Sequence, residues 1–283
     1  MSASSRVAAQ TEAKHRVWSL LRKPGVLVAA IFLLGVLVAA FWPTLLTSTD
    51  PAATNSGALL ESPRPGAIFG TDELGRDLYA RVIHGAGLTV QAAVGAIVIA
   101  AMIGLVIGVV AGAYGGLVDT VLMRIVDVKL AIPGLLLALI IISALGFSAT
   151  NVAIAVGIGF IPSFARTTRA RVLSVRATDF VEAAAVNGMR PSAILFHHIL
   201  PNASGPVAVL AILDFGGAII AVATLNFLGF GAAAPLADWG SLISDGRSFL
   251  TTAPWLSLVP GLVVACTVFA LNHIAKTIEE TTL

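Results

Sequence analysis

Six apolar runs alternate with shorter polar stretches along the chain, covering residues 25–46, 88–114, 128–146, 148–165, 205–230 and 255–275. A helix needs about 20 mostly apolar residues to cross a hydrocarbon layer about 30 Å thick, at about 1.5 Å per residue. Each run therefore predicts a transmembrane helix, the fourth a short one, with Pro133 near the start of the third. The first run is longer than the roughly 7–15 residues of a signal-peptide core and reads as a retained anchor. Within the second, Gly104, Gly108 and Gly112 recur every four residues on one face. Such a small-residue ladder lets another helix approach closely where lipid offers no hydrophobic drive to association.

Composition agrees with this pattern. The 283 residues are 57% hydrophobic and 11% charged, with a mean hydropathy of +0.95, far from the soluble range. The fold class is an all-α integral membrane protein of six transmembrane helices. The single cysteine, Cys266, excludes an internal disulfide. The net charge of +2 says little, but its distribution orients the chain. With both termini cytoplasmic, thirteen of the 17 basic residues fall on the inner side, leaving Arg64, Arg76, Arg81 and Arg247 outside. Lys and Arg gather in cytoplasmic loops, so this orientation is the expected one. The organisation is then a cytoplasmic tail (1–24), a first helix (25–46), an outer segment (47–87), a domain of five further helices (86–276) and a short cytoplasmic tail (277–283).

One inner stretch, residues 179–202, is polar and helix-forming. Asp179 and Glu182, three apart, predict a capping-box helix start. Gly188 predicts its end, Pro191 the start of a second helix and Pro201 its close. Phe180, Val181, Ala184 and Ala185 form one apolar stripe. Such an elbow either lies on the headgroups or docks into a partner's groove.

"EAAAVNG" followed by "ILPN" resembles the EAA loop of bacterial ABC importer permeases, through Glu182, Ala183, Ala184, Gly188, Ile199, Leu200 and Pro201. "GTDELGRDLYARVIHGA", "YGGLVDTVLMRIVDVKLAIP", "LNFLGFG", "DWGSLISDGRSFL" and "APWLSLVPGL" are similar to the second permease subunit of dipeptide, oligopeptide, nickel and glutathione importers, in order over residues 69–272. The resemblance implies a type I importer permease fold whose EAA-loop helix couples to an ATPase. It also implies the partners: a second homologous permease, two ATPase subunits and an external solute-binding protein that delivers a peptide or small solute. ATP and Mg²⁺ belong to the ATPases, and no cofactor is expected on this chain. Consistent with that, no Gly-Lys-Ser/Thr of a P-loop is present: only Lys276 precedes a Thr, and Ala275 precedes it. Two departures stand out, Gly87 in place of an arginine and the tail "NHIAKTIEETTL".

The remaining polar residues divide by setting. Asp72, Glu73 and Asp77 with Arg76 predict an outer turn held by ion pairs rather than a catalytic carboxylate pair. His197 and His198 point about 100° apart on a helix, so they do not share a metal. Asp214 lies well inside the fifth run, where a carboxylate faces water or a partner, so it is a pathway candidate. An acidic pathway suits a cationic group such as a peptide amino terminus, while a protonated Asp214 hydrogen-bonded between helices is the alternative. Members of the resembled family more often carry a small residue there and a glutamate near Val222. Asn226, in "LNFLGFG", is the second pathway candidate. Trp239 and Trp255 are expected to anchor at the outer interface. A self-contained secondary transporter is the rival class, and it needs internal repeats that this chain lacks.

Overall fold

The computed structural model describes residues 24–231 and 235–282; the predicted inner tail up to residue 23, with its basic residues, lies outside them, as do residues 232–234 just after the fifth run. Helix α1 (Pro24–Phe41) ends before the predicted boundary. Trp42 and a 3₁₀ turn (Pro43–Leu45) follow, because Pro43 has no N–H to continue the ladder. Helix α2 (Leu78–Tyr114) begins ten residues before its apolar run. Asp77 caps it by accepting from the Tyr79 N–H at 3.2 Å, and its 37 residues span about 55 Å, well beyond the hydrocarbon thickness. The extra turns carry Arg81 and His84 above the apolar run.

The third run is not one straight helix. It is a pair, α3 (Gly116–Ala131) and α4 (Gly134–Leu145), bent by 91° at the break. Pro133 forces Ile132 into an extended conformation (φ −91°, ψ 123°), which ends α3 where the sequence alone suggested continuity. Helix α5 (Ala149–Arg176) is longer than the fourth run, extending past Ala165 into a basic inner turn. After it come α6 (Asp179–Val186), α7 (Pro191–Ile194) and a π turn (Leu195–Ile199). The last elements are α8 (Leu200–Phe227), α9 (Trp239–Gly246), a 3₁₀ turn (Arg247–Phe249) and α10 (Trp255–Thr282). Among the described residues, five helices are long and apolar enough to cross a membrane, six counting the bent pair as one span.

The spine of the bundle is α2 against α5, and the glycine ladder makes it. A Cβ on Gly104 would lie 2.5 Å from Phe164 Cβ, one on Gly108 2.5 Å from the Ala165 carbonyl oxygen, and one on Gly112 2.7 Å from Val172 Cγ1. Gly157 answers from α5, where a Cβ would sit 2.8 Å from the Ala96 oxygen. Ala93, Ala96 and Ala100 extend the same seam toward the outside and are fully buried. Gly87, the departure noted above, lets α1 approach: its Cβ would lie 3.1 Å from the Ala40 oxygen.

An outer cap of turns precedes α2. Asp72 is buried at its centre, accepting from Arg76 Nε at 2.7 Å and Arg81 Nη1 at 2.5 Å, and from the Leu74 and Arg76 N–H groups at 2.9 Å. Glu73 pairs with Arg76 at 3.2 Å, so the expected ion-paired turn is present for Asp72, Glu73 and Arg76, while Asp77 serves as the helix cap instead. Gly75 supplies its corner with φ +72°, and any Cβ there would meet the Asn55 oxygen at 1.9 Å. Trp239 does not anchor at the interface: it is 1% exposed, and its indole N–H donates to the Val82 oxygen at 3.0 Å. A buried tryptophan needs such a partner, and α9 folding back onto α2 provides it. Trp255 is half-buried, with Nε1 3.5 Å from the Thr71 oxygen.

Candidate functional site

The polar elbow projects from the inner end of the bundle. Thr178, not Asp179, is the N-cap of α6, and its hydroxyl donates back to the Val175 oxygen at 2.5 Å rather than capping the helix. The capping box read from Asp179 and Glu182 is therefore not formed. Both carboxylates instead occupy the first turn, where the positive end of the helix dipole favours them. At the other end the expected glycine stop is present: Gly188 takes φ +77°. The Met189 N–H reaches the Ala184 oxygen at 3.1 Å and the Gly188 N–H the Ala185 oxygen at 3.0 Å, the paired bonds of a Schellman ending.

Pro201 does not close a second helix. From Pro191 the chain runs helically through the π turn into α8. The Leu200 N–H bonds to the Leu195 oxygen, five residues back. This wider turn accommodates a proline that has no N–H to give. The Asn202 side chain donates to the His198 oxygen at 2.6 Å, satisfying a carbonyl near the break.

The elbow has two faces. Val181, Ile194, Ile199 and Ala203 form a small core with Val172 of α5, backed by Ala184, Leu195, Val175 and Val109 of α2. The Phe180 and His198 rings sit 6.1 Å apart. The predicted apolar stripe is therefore divided: Val181 is buried and Ala184 half-buried, while Phe180 and Ala185 are exposed. Outward stand Glu182 and Ala183, with Phe180 46%, Val186 83% and Met189 40% exposed. Arg176 braces the base, donating to the Ala113 oxygen at 2.9 Å and the Gly112 oxygen at 3.3 Å at the end of α2. A cation at a helix C-terminus is favourably placed.

Beside the elbow, α3 is stitched to α5. Asp119 takes a two-pronged pair from Arg169, and Asp127 pairs with Arg166 at 2.5 Å. These four residues, with Thr120, Met123 and Arg124, line a cleft of about 510 Å³. Further in, Lys129 donates to the Gly159 carbonyl oxygen. Asp214 is half-buried on α8, with its carboxyl against the Ser163 hydroxyl and Oδ2 without a hydrogen-bond partner. Asn226 is 4% exposed and lies deep, next to Asp238 at the start of α9. Gly231 fits between them: its Cβ would lie 2.9 Å from Asn226 Oδ1 and 3.0 Å from Asp238 Oδ2. Asp238 caps α9 through the Gly240 and Ser241 N–H groups at 2.8 and 3.1 Å. Burial raises its pKa from the ordinary carboxylate value. His197 turns Nδ1 to the Ala193 oxygen at 3.0 Å. Sequence reasoning had used Lys129 only to orient the chain; a lysine opening an apolar run was the available signal.

A family model described as "Binding-protein-dependent transport system inner membrane component" matches residues 104–280, a stretch that includes the ladder, the cleft and the whole elbow. The chain belongs to this family. A dipeptide transport system permease of Alkalihalophilus pseudofirmus is 40% identical over 87% of this chain and 80% of its own. A glutathione transport system permease of Pectobacterium atrosepticum is 35% identical over 92% of this chain and 87% of its own. The fold matches a crystal structure of an amino acid ABC transporter with histidines, at TM-score 0.57 and 18% identity, covering 71% of this chain and 94% of that one. The molecule is thus a multi-pass permease of the inner membrane, of the type I ABC importer fold, working in a binding-protein-dependent importer.

Proposed function

We propose that this permease carries di- or oligopeptides, and that it drives no chemistry itself but receives force at the elbow. ATP and Mg²⁺ act on two ATPase partners, while a second homologous permease completes the pathway and an external binding protein loads it. The observation that carries this reading is the two-faced α6. One face is locked onto the α2–α5 spine, and the other presents Phe180, Glu182, Ala183, Val186 and Met189 to solvent. A rigid, largely apolar face with the carboxylates of Asp179 and Glu182 at its start, held below the bundle, suits insertion into a groove on another protein. Peptide cargo is supported by the 40%-identical dipeptide permease; the glutathione relative keeps that compound as the second cargo.

The test is coupling. In proteoliposomes holding the complete importer, Glu182→Lys is expected to cut peptide uptake by about tenfold or more while ATP hydrolysis continues or the complex dissociates. Gly188→Val is expected to act alike, because a β-branched residue at φ +77° unwinds the corner. Normal uptake in both variants would refute force transfer at the elbow.

A further inference from the structure

Two opposite charges lie at mid-depth in the bundle without pairing. Lys129 donates to the Gly159 oxygen, and Asp214 meets the Ser163 hydroxyl. Gly159 and Ser163 are four residues apart on α5, so both tethers lie on one face, about 6 Å apart along the axis. Counted from Ala149, they stand about 15 and 21 Å along a helix that crosses about 30 Å of hydrocarbon. Asp214 is likewise near the middle of α8. Among the described residues neither charge has an ion-pair partner, and Asp214 Oδ2 has no hydrogen-bond partner at all.

Charged groups inside a bundle normally pair with each other or face a pathway. Here neighbouring turns of α5 hold them separately, one at Gly159 and the other at Ser163. The turn is also open: a Cβ on Gly159 would meet nothing within 4 Å. Pro162, one residue before Ser163, has no N–H to give and so frees the Ile158 carbonyl, the neighbour of the Gly159 oxygen that Lys129 reaches. An occupant that satisfies both charges must itself carry both signs, at a spacing close to that of the tethers. Two extended residues span about 7 Å.

We propose that Lys129 and Asp214 are the two poles of a cargo subsite at mid-depth, tethered to one face of α5 at Gly159 and Ser163, that takes the carboxylate and ammonium ends of a zwitterionic dipeptide. The subsite rests on the importer reading above. It adds to the earlier expectation for Asp214 a second pole, a spacing and a preference for unblocked ends. Charge-assisted hydrogen bonds to each terminus replace the water that the cargo leaves behind.

The experiment uses the complete importer in proteoliposomes, with its binding protein loaded in turn with dialanine, dialanine amide and N-acetyl-dialanine. Lys129→Gln is expected to cut ATP-driven dialanine uptake by about tenfold, the scale of one lost charge-assisted contact, and dialanine amide uptake by less than about twofold. Asp214→Asn is expected to show the mirror pattern, sparing N-acetyl-dialanine. Lys129→Arg keeps the charge and most of the uptake. If Lys129→Gln does not assemble, the Asp214→Asn and Lys129→Arg arms decide by the same cargo dependence. Equal loss across the three cargoes, or no loss in any, overturns the subsite. A wild-type complex that hydrolyses ATP in response to its binding protein yet moves none of the three overturns the peptide reading itself, a distinct result.

Discussion

Asp238 shows how a single polar group ties two elements at the outer face. Its Oδ1 caps α9, while Oδ2 and Asn226 Oδ1 are buried without hydrogen-bond partners. Burial has raised the Asp238 pKa, so the folded protein holds a proton there more tightly than the unfolded chain does. Its contribution to stability is therefore greatest below the unfolded-state value and declines as pH rises from that value through the raised one. Asp238→Asn keeps a cap-forming side chain and has no such decline. The melting temperature of the variant minus that of the wild type should climb with pH across this window. A difference that stays flat, measured by melting in detergent at stepped pH, would contradict the assignment. Asp72 is the opposite case, a buried carboxylate already matched by Arg76 and Arg81, whose removal would leave these buried cations only Glu73 and Asp245 as partners.

At the scale of elements, the α2–α5 seam rests on backbone approach rather than on large side chains. A Cβ on Gly108 would lie 2.5 Å from the Ala165 oxygen and 2.6 Å from Thr168 Cβ, so Gly108→Ala must push two backbones apart. Overpacking of this kind costs about 1–3 kcal/mol, and the melting temperature in detergent should fall accordingly. Gly35→Ala on α1 is the control. Nothing lies within 4 Å of its Cβ, and alanine has the higher helix propensity by about 1 kcal/mol, so stability should hold or rise. Equal behaviour of the two variants would show that the ladder does not carry the seam. The bend at Pro133 belongs to the same scale. It frees α3 to lie along the basic turns of α5, where Asp119 and Asp127 find Arg169 and Arg166.

At the scale of the whole molecule, the elbow and the mid-depth charges sit at different levels of one connected body. The elbow core takes Val172 and Val175 from α5 and Val109 from α2, and Arg176 joins the inner ends of those helices. A push on α6 therefore reaches α5, the helix to which Lys129 and Asp214 are tethered. Swinging a two-state pathway from mostly one face to mostly the other takes about 5.5 kcal/mol of differential binding, so the transmitting parts must be stiff. With Cys266→Ser removing the native thiol, a cysteine introduced as Val186→Cys should crosslink to an ATPase subunit, with a yield that changes between nucleotide-free and ATP-bound complexes. Crosslinks confined to lipid would remove the docking role.

Periodicity and charge determined much of this protein by themselves. The apolar runs, their inward orientation, the glycine ladder and the Gly188 corner are local properties of a chain in lipid, set by helix length, glycine's small size and the placement of Lys and Arg. The EAA-loop residues form a contiguous motif, so the sequence alone is enough to pick them out as coupling candidates. Tertiary structure alone decided which helix meets the ladder, that Pro133 turns a span by 91°, and that Trp239 is core rather than anchor. It alone brought Lys129 and Asp214, 85 positions apart in the sequence, to neighbouring turns of α5. Such pairings depend on the crossing geometry of packed helices, which no spacing along one chain encodes.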